Sequence, residues 1–127
     1  MRESLELGKA AEERAALYLL NNGYKILETN YRCRTGEIDI IAEYRDYIVF
    51  AEVKYRRRDD FGSALEMIDN RKIRKIISAS RFYLGSHRTN KQPRFDTIEV
   101  MPPDSVTGDM AVEHIEDAFD NGTLYHR

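Results

Sequence analysis

The chain has 127 residues, of which 42% are hydrophobic and 33% are charged, and its formal net charge is −2. This length suits one domain with a single hydrophobic core, and the composition excludes a disordered chain. No apolar run is long enough to span a bilayer, and residues 1–4 lead directly into a helical pattern. We therefore expect one cytoplasmic domain covering residues 1–127.

The net charge conceals an uneven distribution along the chain. Residues 1–53 hold 7 basic and 10 acidic side chains, residues 54–94 hold 12 and 4, and residues 95–127 hold 1 and 8. The basic middle third suggests a surface for a polyanion, although charged stretches are more often ordinary solvated surface.

A helical pattern covers residues 3–22, and Gly23 is placed to end this first helix. Glu12 and Glu13 fall at the borders of its apolar stripe, and periodicity does not choose between them. Residues 24–31 mix aromatic and β-branched side chains with polar ones, which predicts a first strand. The apolar stripe of the helix consists of Leu7, Ala11, Ala15 and Tyr18.

The next two predicted strands carry the strongest functional signal in the chain. They cover residues 36–41 and 48–54, and a tight polar link, residues 44–47, joins them. If the link closes a hairpin at its centre, the numbers of paired residues sum to 91. Asp39 and Glu52 are then direct cross-strand neighbours.

Two carboxylates in this position require compensation. Cross-strand neighbours lie roughly 5 Å apart at Cβ, and like charges there destabilise a sheet. The second strand is apolar on both faces, as in a strand covered from both sides. A divalent cation between Asp39 and Glu52 is one interpretation. The alternative is an ion pair of Glu52 or Glu37 with Lys54, which lies on the same face two residues beyond Glu52.

A charged connection at residues 55–62 ends in glycine and is predicted to be a loop. A second helix follows, with Asp69 or Asn70 as its cap and Gly85 at its end. Its predicted buried stripe consists of Ile73, Ile76, Ile77, Ser80 and Leu84.

Two strands complete the predicted elements. Residues 94–100 alternate as a strand before two prolines, residues 102–103, break the chain, and residues 111–119 can supply a short last strand. The order α-β-β-β-α-β-β predicts an α/β (or α+β) domain with one central mixed sheet.

Cysteine and histidine give no support to a disulfide, a zinc site or a histidine-based nucleophile. Cys33 is the only cysteine, and His87, His114 and His126 are scattered without ligand spacing. Any metal would therefore be bound by oxygen atoms.

The order of the acidic motifs resembles the PD-(D/E)xK nuclease superfamily, and especially Holliday junction resolvases. These motifs are Glu12 in the first helix, Gly36–Asp39, and Glu52–Lys54. The chain resembles more closely the YraN-like family of uncharacterised, predicted endonucleases, over about residues 7–100, with Ala11 where we expect a glycine. The other matching positions are Gly8, Tyr18-Leu19, Gly23-Tyr24, Asn30, Phe61-Gly62, Lys72, Ala79, Tyr83-Leu84 and Arg94-Phe95-Asp96.

This resemblance implies a restriction-endonuclease-like core and hydrolysis of phosphodiester bonds with Mg²⁺ or Mn²⁺ as cofactor. Asp39 and Glu52 would bind the ion together with the Val53 carbonyl. Lys54 would orient the attacking water or stabilise charge on the phosphate, and we favour the electrostatic role. Glu12 would reach the ion through water or help to hold a second ion.

For substrate binding, we expect Arg56, Arg57, Arg58 and Lys72 to contact phosphates, with recognition of backbone and shape rather than base sequence.

The first functional interpretation is an endonuclease acting on structured nucleic acid, DNA above all, in repair or recombination. The second is a non-catalytic nucleic-acid-binding module of the same fold. A third is an adaptor whose acidic residues 104–120 dock a basic protein partner or cover the basic segment of a second copy. Resolvases act as dimers, and the sequence leaves open whether this protein forms a homodimer.

Overall fold

The computed structural model describes residues 2–56, 70–103 and 106–120. Its elements follow the order predicted from the sequence, which confirms the α/β architecture. Within this described part of the chain, no helix is both long and apolar enough to cross a lipid bilayer. The elements are α1 (Arg2–Asn21), β1 (Lys25–Cys33), β2 (Gly36–Tyr44), β3 (Tyr47–Tyr55), α2 (Asn70–Ser86), β4 (Gln92–Pro103) and β5 (Met110–Ile115).

The five strands form one mixed sheet in the spatial order β1-β2-β3-β4-β5. Neighbouring strands are antiparallel except β3 and β4, which are parallel. Parallel neighbours need a crossover connection, and α2 lies in the segment that connects β3 to β4. The predicted mixed sheet is therefore confirmed.

The two helices cover different faces of the central strands. Residues of α2 pack with Ile41 and Phe50 in one hydrophobic core. Residues of α1 pack with Val49 and Ala51 in another. Successive side chains of a strand point to opposite faces, so β3 is covered on both sides. This arrangement explains why the sequence of β3 is apolar at consecutive positions.

Helix α1 packs against the sheet through small side chains. Ala11 and Ala15 are fully buried, and so is Leu19, whereas Tyr18 is only partly buried. The predicted stripe is therefore correct in its centre, but Leu19 is buried where we predicted Tyr18. The methyl group of Ala11, where we expected a glycine, is accommodated in the core under α1.

Helix α2 is described from Asn70 onward, while the alternative cap Asp69 and the predicted loop residues 57–62 lie outside the described residues. Four residues of its predicted stripe are buried, and Leu84 is partly buried against the same core. The buried residues of α2 are Ile73, Ile76, Ile77, Ala79, Ser80 and Tyr83.

The last two strands differ from their predicted ends. Strand β4 continues through Pro102 and Pro103, so the prolines do not end it, and its pairing with β5 is irregular between Val100 and Pro103. Proline has no N–H to donate, which is tolerated where a ladder is irregular. Strand β5 ends at Ile115, four residues before the predicted end at Phe119.

A buried network of charged side chains connects β4 to β5 and to Tyr24 under α1. Asp96 is 0% exposed and accepts hydrogen bonds from Arg94 Nε at 2.9 Å and Nη2 at 2.7 Å. His114 Nε2 of β5 lies 2.7 Å from Asp96 Oδ2, and the backbone N–H of Asp117 donates to Oδ1 at 3.0 Å. Arg94 also donates to the Tyr24 hydroxyl at 2.6 Å. Burial by itself raises the pKa of Asp96, but the hydrogen bonds from His114 and Arg94 hold it below its ordinary value.

Replacement of Asp96 by asparagine should lower the free energy of unfolding by about 3 kcal/mol near neutral pH, because buried Arg94 then keeps only the exposed carboxylate of Glu116, 3.4 Å from its Nη1. The depressed pKa of Asp96 means that the wild-type advantage is complete above the ordinary value of 3.8. The advantage should disappear as the pH falls through the lower folded value. Urea unfolding of both proteins from about pH 7 to about pH 3 measures this difference.

Glu113→Gln is the matched control, because Glu113 is an exposed carboxylate on the same strand as His114. It should change the free energy of unfolding by less than about 0.5 kcal/mol. A constant difference between wild type and Asp96→Asn across the whole pH range would contradict the proposed role of the Asp96 charge.

Candidate active site

The β2–β3 hairpin has the predicted register, and its ladder ends at the two acids. Paired residue numbers sum to 91 from the turn to Ile40, which lies opposite Ala51. Asp39 and Glu52 come one step beyond this last pair. There the Val53 N–H donates to Asp39 Oδ2 at 2.8 Å. The side chain of Asp39 therefore bonds to β3 at the point where backbone pairing stops.

The sheet is irregular around Asp39. Ile38 and Ile40 should share one face of β2, yet Ile38 packs in the core under α2 and Ile40 in the core under α1. In β1, Asn30 falls opposite Asp39 in the register and has a φ of 53°. This left-handed conformation is uncommon for a residue other than glycine. Both strands thus depart from regular geometry at the position of the candidate ligand.

The carboxyl groups of Asp39 and Glu52 are close together, and Glu52 is the more buried of the two. Glu52 is 5% exposed. Burial and the negative charge of Asp39 raise the pKa of Glu52 to about 7. Burial also raises the pKa of Asp39, against the lowering effect of the Val53 N–H. The two acids are therefore close neighbours: a hydrogen bond joins their side chains, and their charged forms repel each other.

Lys72 of α2 provides a counter-charge for Glu52. Its Nζ lies 2.6 Å from Glu52 Oε1. Burial lowers the pKa of Lys72, but the hydrogen bond and the charge of Glu52 outweigh that effect and raise it. The sequence predicted Lys72 as a phosphate contact and left open an ion pair of Lys54 with Glu52 or Glu37. The structure instead pairs Lys72 with Glu52, and it pairs Glu37 with Arg32 at 3.1 Å.

Lys54 lies beside the same groups. It is partly buried on β3, two residues beyond Glu52. Burial and the positive charge of Lys72 lower the pKa of Lys54, and the charges of Glu52 and Asp39 partly oppose this. The site thus contains two lysines and two acids, with Lys72 bonded directly to a carboxylate.

The structure distinguishes Glu12 from Glu13, which the helical pattern did not. Glu13 is exposed, whereas Glu12 is partly buried. Burial raises the pKa of Glu12, and the neighbouring charge of Asp39 raises it further, while a hydrogen bond with Asn30 lowers it. Glu12 therefore lies on the Asp39 side of the site, as the family pattern implied, and the distorted residue Asn30 holds it there.

Of the three predicted arginines, the structure describes only Arg56, and its guanidinium is paired away from the acids. Arg56 Nη1 donates to Glu99 Oε2 at 2.9 Å, and its side chain is 11% exposed. This buried ion pair corrects the expectation that Arg56 lies on a phosphate-binding surface. Arg57 and Arg58 lie outside the described residues.

A cavity of about 630 Å³ opens over Asp39 and Glu52 between the β1–β2 turn and α2. Most of its charged lining is basic, and four of these residues were not among the predicted contacts. Two of the four lie in the net-acidic first part of the chain, so the charge distribution gave no signal for them. The other two belong to the basic middle third. The four residues are Arg32 near the end of β1, Arg34 in the β1–β2 turn, and Arg71 and Lys75 on α2.

Gly36 sets the distance between the two sides of this cavity. A Cβ atom at Gly36 would lie 2.8 Å from the backbone oxygen of Lys75, closer than real Cβ atoms come to such atoms. Glycine therefore allows the start of β2 to lie directly against the backbone of α2. This contact holds the basic residues of the turn and of α2 on either side of the acids.

The donor set suits a hard divalent cation with few protein ligands. Asp39 and Glu52 offer carboxylate oxygens, and Mg²⁺ commonly uses one or two carboxylates and keeps several waters. Among residues 2–56, 70–103 and 106–120, no group of three or more His, Cys, Asp or Glu side chains is arranged to hold a metal. The fit is therefore to an ion held by this pair and completed by water and substrate. Lys72 would have to share Glu52 with it.

Comparison with known proteins identifies the family. The model of the uncharacterised protein family UPF0102 matches residues 11–100. A UPF0102 protein of Caldanaerobacter subterraneus is 45% identical over 115 residues, which are 89% of this chain and 93% of the relative. A UPF0102 protein of Phocaeicola vulgatus is 39% identical over 94% of this chain and 96% of its own length. The chain belongs to UPF0102, the YraN-like family, as the sequence motifs indicated.

Gly36→Ala tests the close contact between the β1–β2 turn and α2. The added methyl group must displace the backbone at Lys75, so we expect a loss of about 1–3 kcal/mol in the free energy of unfolding. Gly85→Ala is the matched control, because a Cβ on this helical glycine of α2 meets nothing within 4 Å. That change should raise stability by up to about 1 kcal/mol. Equal effects of the two changes in chemical denaturation would contradict the contact.

Proposed function

We propose that this protein is a metal-dependent endonuclease that hydrolyses phosphodiester bonds in structured nucleic acid, with DNA as the expected substrate. The observation that carries the proposal is the pair of neighbouring carboxyl groups in a basic cavity, with Asp39 partly buried and Glu52 buried, whose charged forms repel each other. Repulsion of this kind is relieved by a cation, and basic walls attract a polyanion. The family is uncharacterised and supplies no activity.

The bound cofactor, Mg²⁺ or Mn²⁺, would lower the pKa of a water molecule and polarise a phosphoryl oxygen. Asp39 is held for binding by the Val53 N–H, and Glu52 is held by Lys72. The carbonyl oxygen of Val53 would be a further ligand of the ion. Glu12, beside Asp39, would act through water or assist a second ion.

Lys54 and Lys72 have different roles in this proposal. Lys72 bonds directly to Glu52 and balances its charge. Lys54 has a lowered pKa but lies near two acids that favour its charged form. Its ammonium would orient the attacking water or stabilise the negative charge that develops on the phosphate.

The Lys72–Glu52 ion pair also supports a second candidate function. A buried carboxylate that already has a lysine partner is neutralised without a metal ion. The protein would then be a non-catalytic nucleic-acid-binding module that keeps the nuclease fold. Binding of divalent ions separates the two functions, because only the nuclease requires it.

Asp39→Asn should lower metal-dependent cleavage by at least about a hundredfold, because one of two carboxylate ligands loses its charge. The substrates are fork, flap, four-way junction and single-stranded DNA, each tested with Mg²⁺ and with Mn²⁺. Isothermal titration with the same ions should give a binding heat for the wild type and none for the variant.

Asp46→Asn is the control, because this exposed residue lies at the turn end of the same hairpin. It should keep wild-type cleavage and metal binding. Equal cleavage by wild type and Asp39→Asn would show a contaminating nuclease. Absence of both binding heat and cleavage in a protein that still binds DNA would favour the non-catalytic module.

Lys54→Arg and Lys54→Met test whether Lys54 acts through its charge. Arginine keeps the positive charge, so Lys54→Arg should retain cleavage within about tenfold of the wild type. Lys54→Met should lose about a hundredfold or more in single-turnover rate. If the two variants lose equal activity and the pH profile of the residual rate changes, Lys54 transfers a proton instead.

A further inference from the structure

We propose that the surface formed by the β1–β2 turn and the outer side of α2 binds an unpaired segment of nucleic acid, with Phe82 and Arg34 as the platform on which a base stacks. This inference rests on the proposed function only in taking nucleic acid as the ligand. It goes further by assigning the preferred form of that ligand and the residues that select it.

Positive charge lies on both sides of the cavity. Arg34 lies on the turn side of the cavity, and Arg71 and Lys75 lie on the α2 side. Asp39 and Glu52 line the same cavity between them. Cations on both sides of a groove attract a phosphate backbone along it, which is the usual basis of binding without sequence preference.

Three exposed residues of α2 lie along one side of the helix. Arg71, Lys75 and Phe82 are separated by four and seven residues, so they follow one side of the helix, and all three are exposed. At a rise of 1.5 Å per residue this row is about 16 Å long. It therefore extends from the mouth of the cavity along the helix, far enough to contact several nucleotides.

An exposed aromatic ring lies at the end of this row. Phe82 is 42% exposed, and the guanidinium carbon of Arg34 lies 5.6 Å from its ring centroid. Arg34 also lines the cavity, so the ring lies at the cavity margin. Unpaired bases stack on aromatic rings and on guanidinium planes, whereas the bases of a duplex are already stacked on each other. This pair of side chains therefore favours a single strand over a duplex.

The platform is present before any ligand binds. The close approach of Gly36 to the backbone of Lys75 fixes the turn against α2. Arg34 and Phe82 come from these two elements, so their separation does not depend on a mobile connection. A preformed surface loses less conformational freedom on binding than a surface that must first assemble.

Fluorescence anisotropy with labelled DNA and the full chain tests this inference. A metal chelator is present so that no cleavage occurs. We expect a single strand of about fifteen thymidines to bind at least about tenfold more tightly than a blunt duplex of the same length. Phe82→Leu should weaken single-strand binding about tenfold and leave duplex binding unchanged, because leucine is apolar but does not stack. Phe82→Tyr should keep wild-type affinity.

Charge variants on α2 provide a second, matched comparison. The double change Arg71→Ala with Lys75→Ala should reduce the slope of log affinity against log salt by about 1.4 for the single strand. The control is Arg74→Ala with Arg81→Ala, two exposed arginines of the same helix that are not part of the cavity lining. This control pair should leave the slope and the affinity nearly unchanged.

Three results would overturn the inference: equal or tighter binding of the duplex, the same loss in Phe82→Tyr as in Phe82→Leu, or an equal loss in the two charge pairs. Thermal unfolding of each variant verifies that the fold is retained. Failure of the nuclease proposal gives a different result, namely single-strand preference and loss in Phe82→Leu without any metal-dependent cleavage. Conversely, Asp39-dependent cleavage with no strand preference would remove this inference alone.

Discussion

Asp39 and Glu52 repel each other at the end of the β2–β3 hairpin, and the neighbouring groups are arranged around that repulsion. Burial prevents water from screening the two charges and raises the pKa of each carboxyl group. The protein compensates with an N–H from Val53 on Asp39 and an ammonium from Lys72 on Glu52. These contacts explain how the pair is tolerated in the folded state. They also leave the pair suited to a stronger positive charge, as a divalent cation would provide.

Helix α2 connects this charge balance to the rest of the fold. Its apolar side is buried in the core with Phe50. One edge presents Lys72 to Glu52, and the outer side presents Arg71 and Lys75 at the cavity. The parallel pairing of β3 and β4 requires a crossover, and the close approach at Gly36 fixes α2 against the start of β2. The same packing that completes the core thus places three basic residues around the acids.

The other strongly charged cluster has a structural role. Asp96 and Arg94 are buried under α1 with His114 and Tyr24, and their hydrogen bonds connect β4 to β5 and to the segment before β1. The family pattern includes Arg94 and Asp96 as well as Asp39 and Glu52, so a match to that pattern does not by itself show what role a residue has. The surroundings of the two clusters differ: Asp96 is hydrogen-bonded to Arg94, His114 and the Asp117 N–H, whereas Asp39 and Glu52 line a cavity.

The order of the elements, the hairpin register and the apolar faces of β3 and α2 follow from the sequence, because each depends on local periodicity and short connections. The motif order also indicated the family and the acid pair. Tertiary structure alone decided which lysine bonds to Glu52 and that Arg56 is buried on Glu99. It also placed beside Asp39 the Glu12 that the family pattern had selected. It also brought Arg32 and Arg34 together with α2, about forty residues further along the chain. Such contacts depend on how helices are placed on the sheet, and periodicity shows which side of a helix is buried but not which residues it meets.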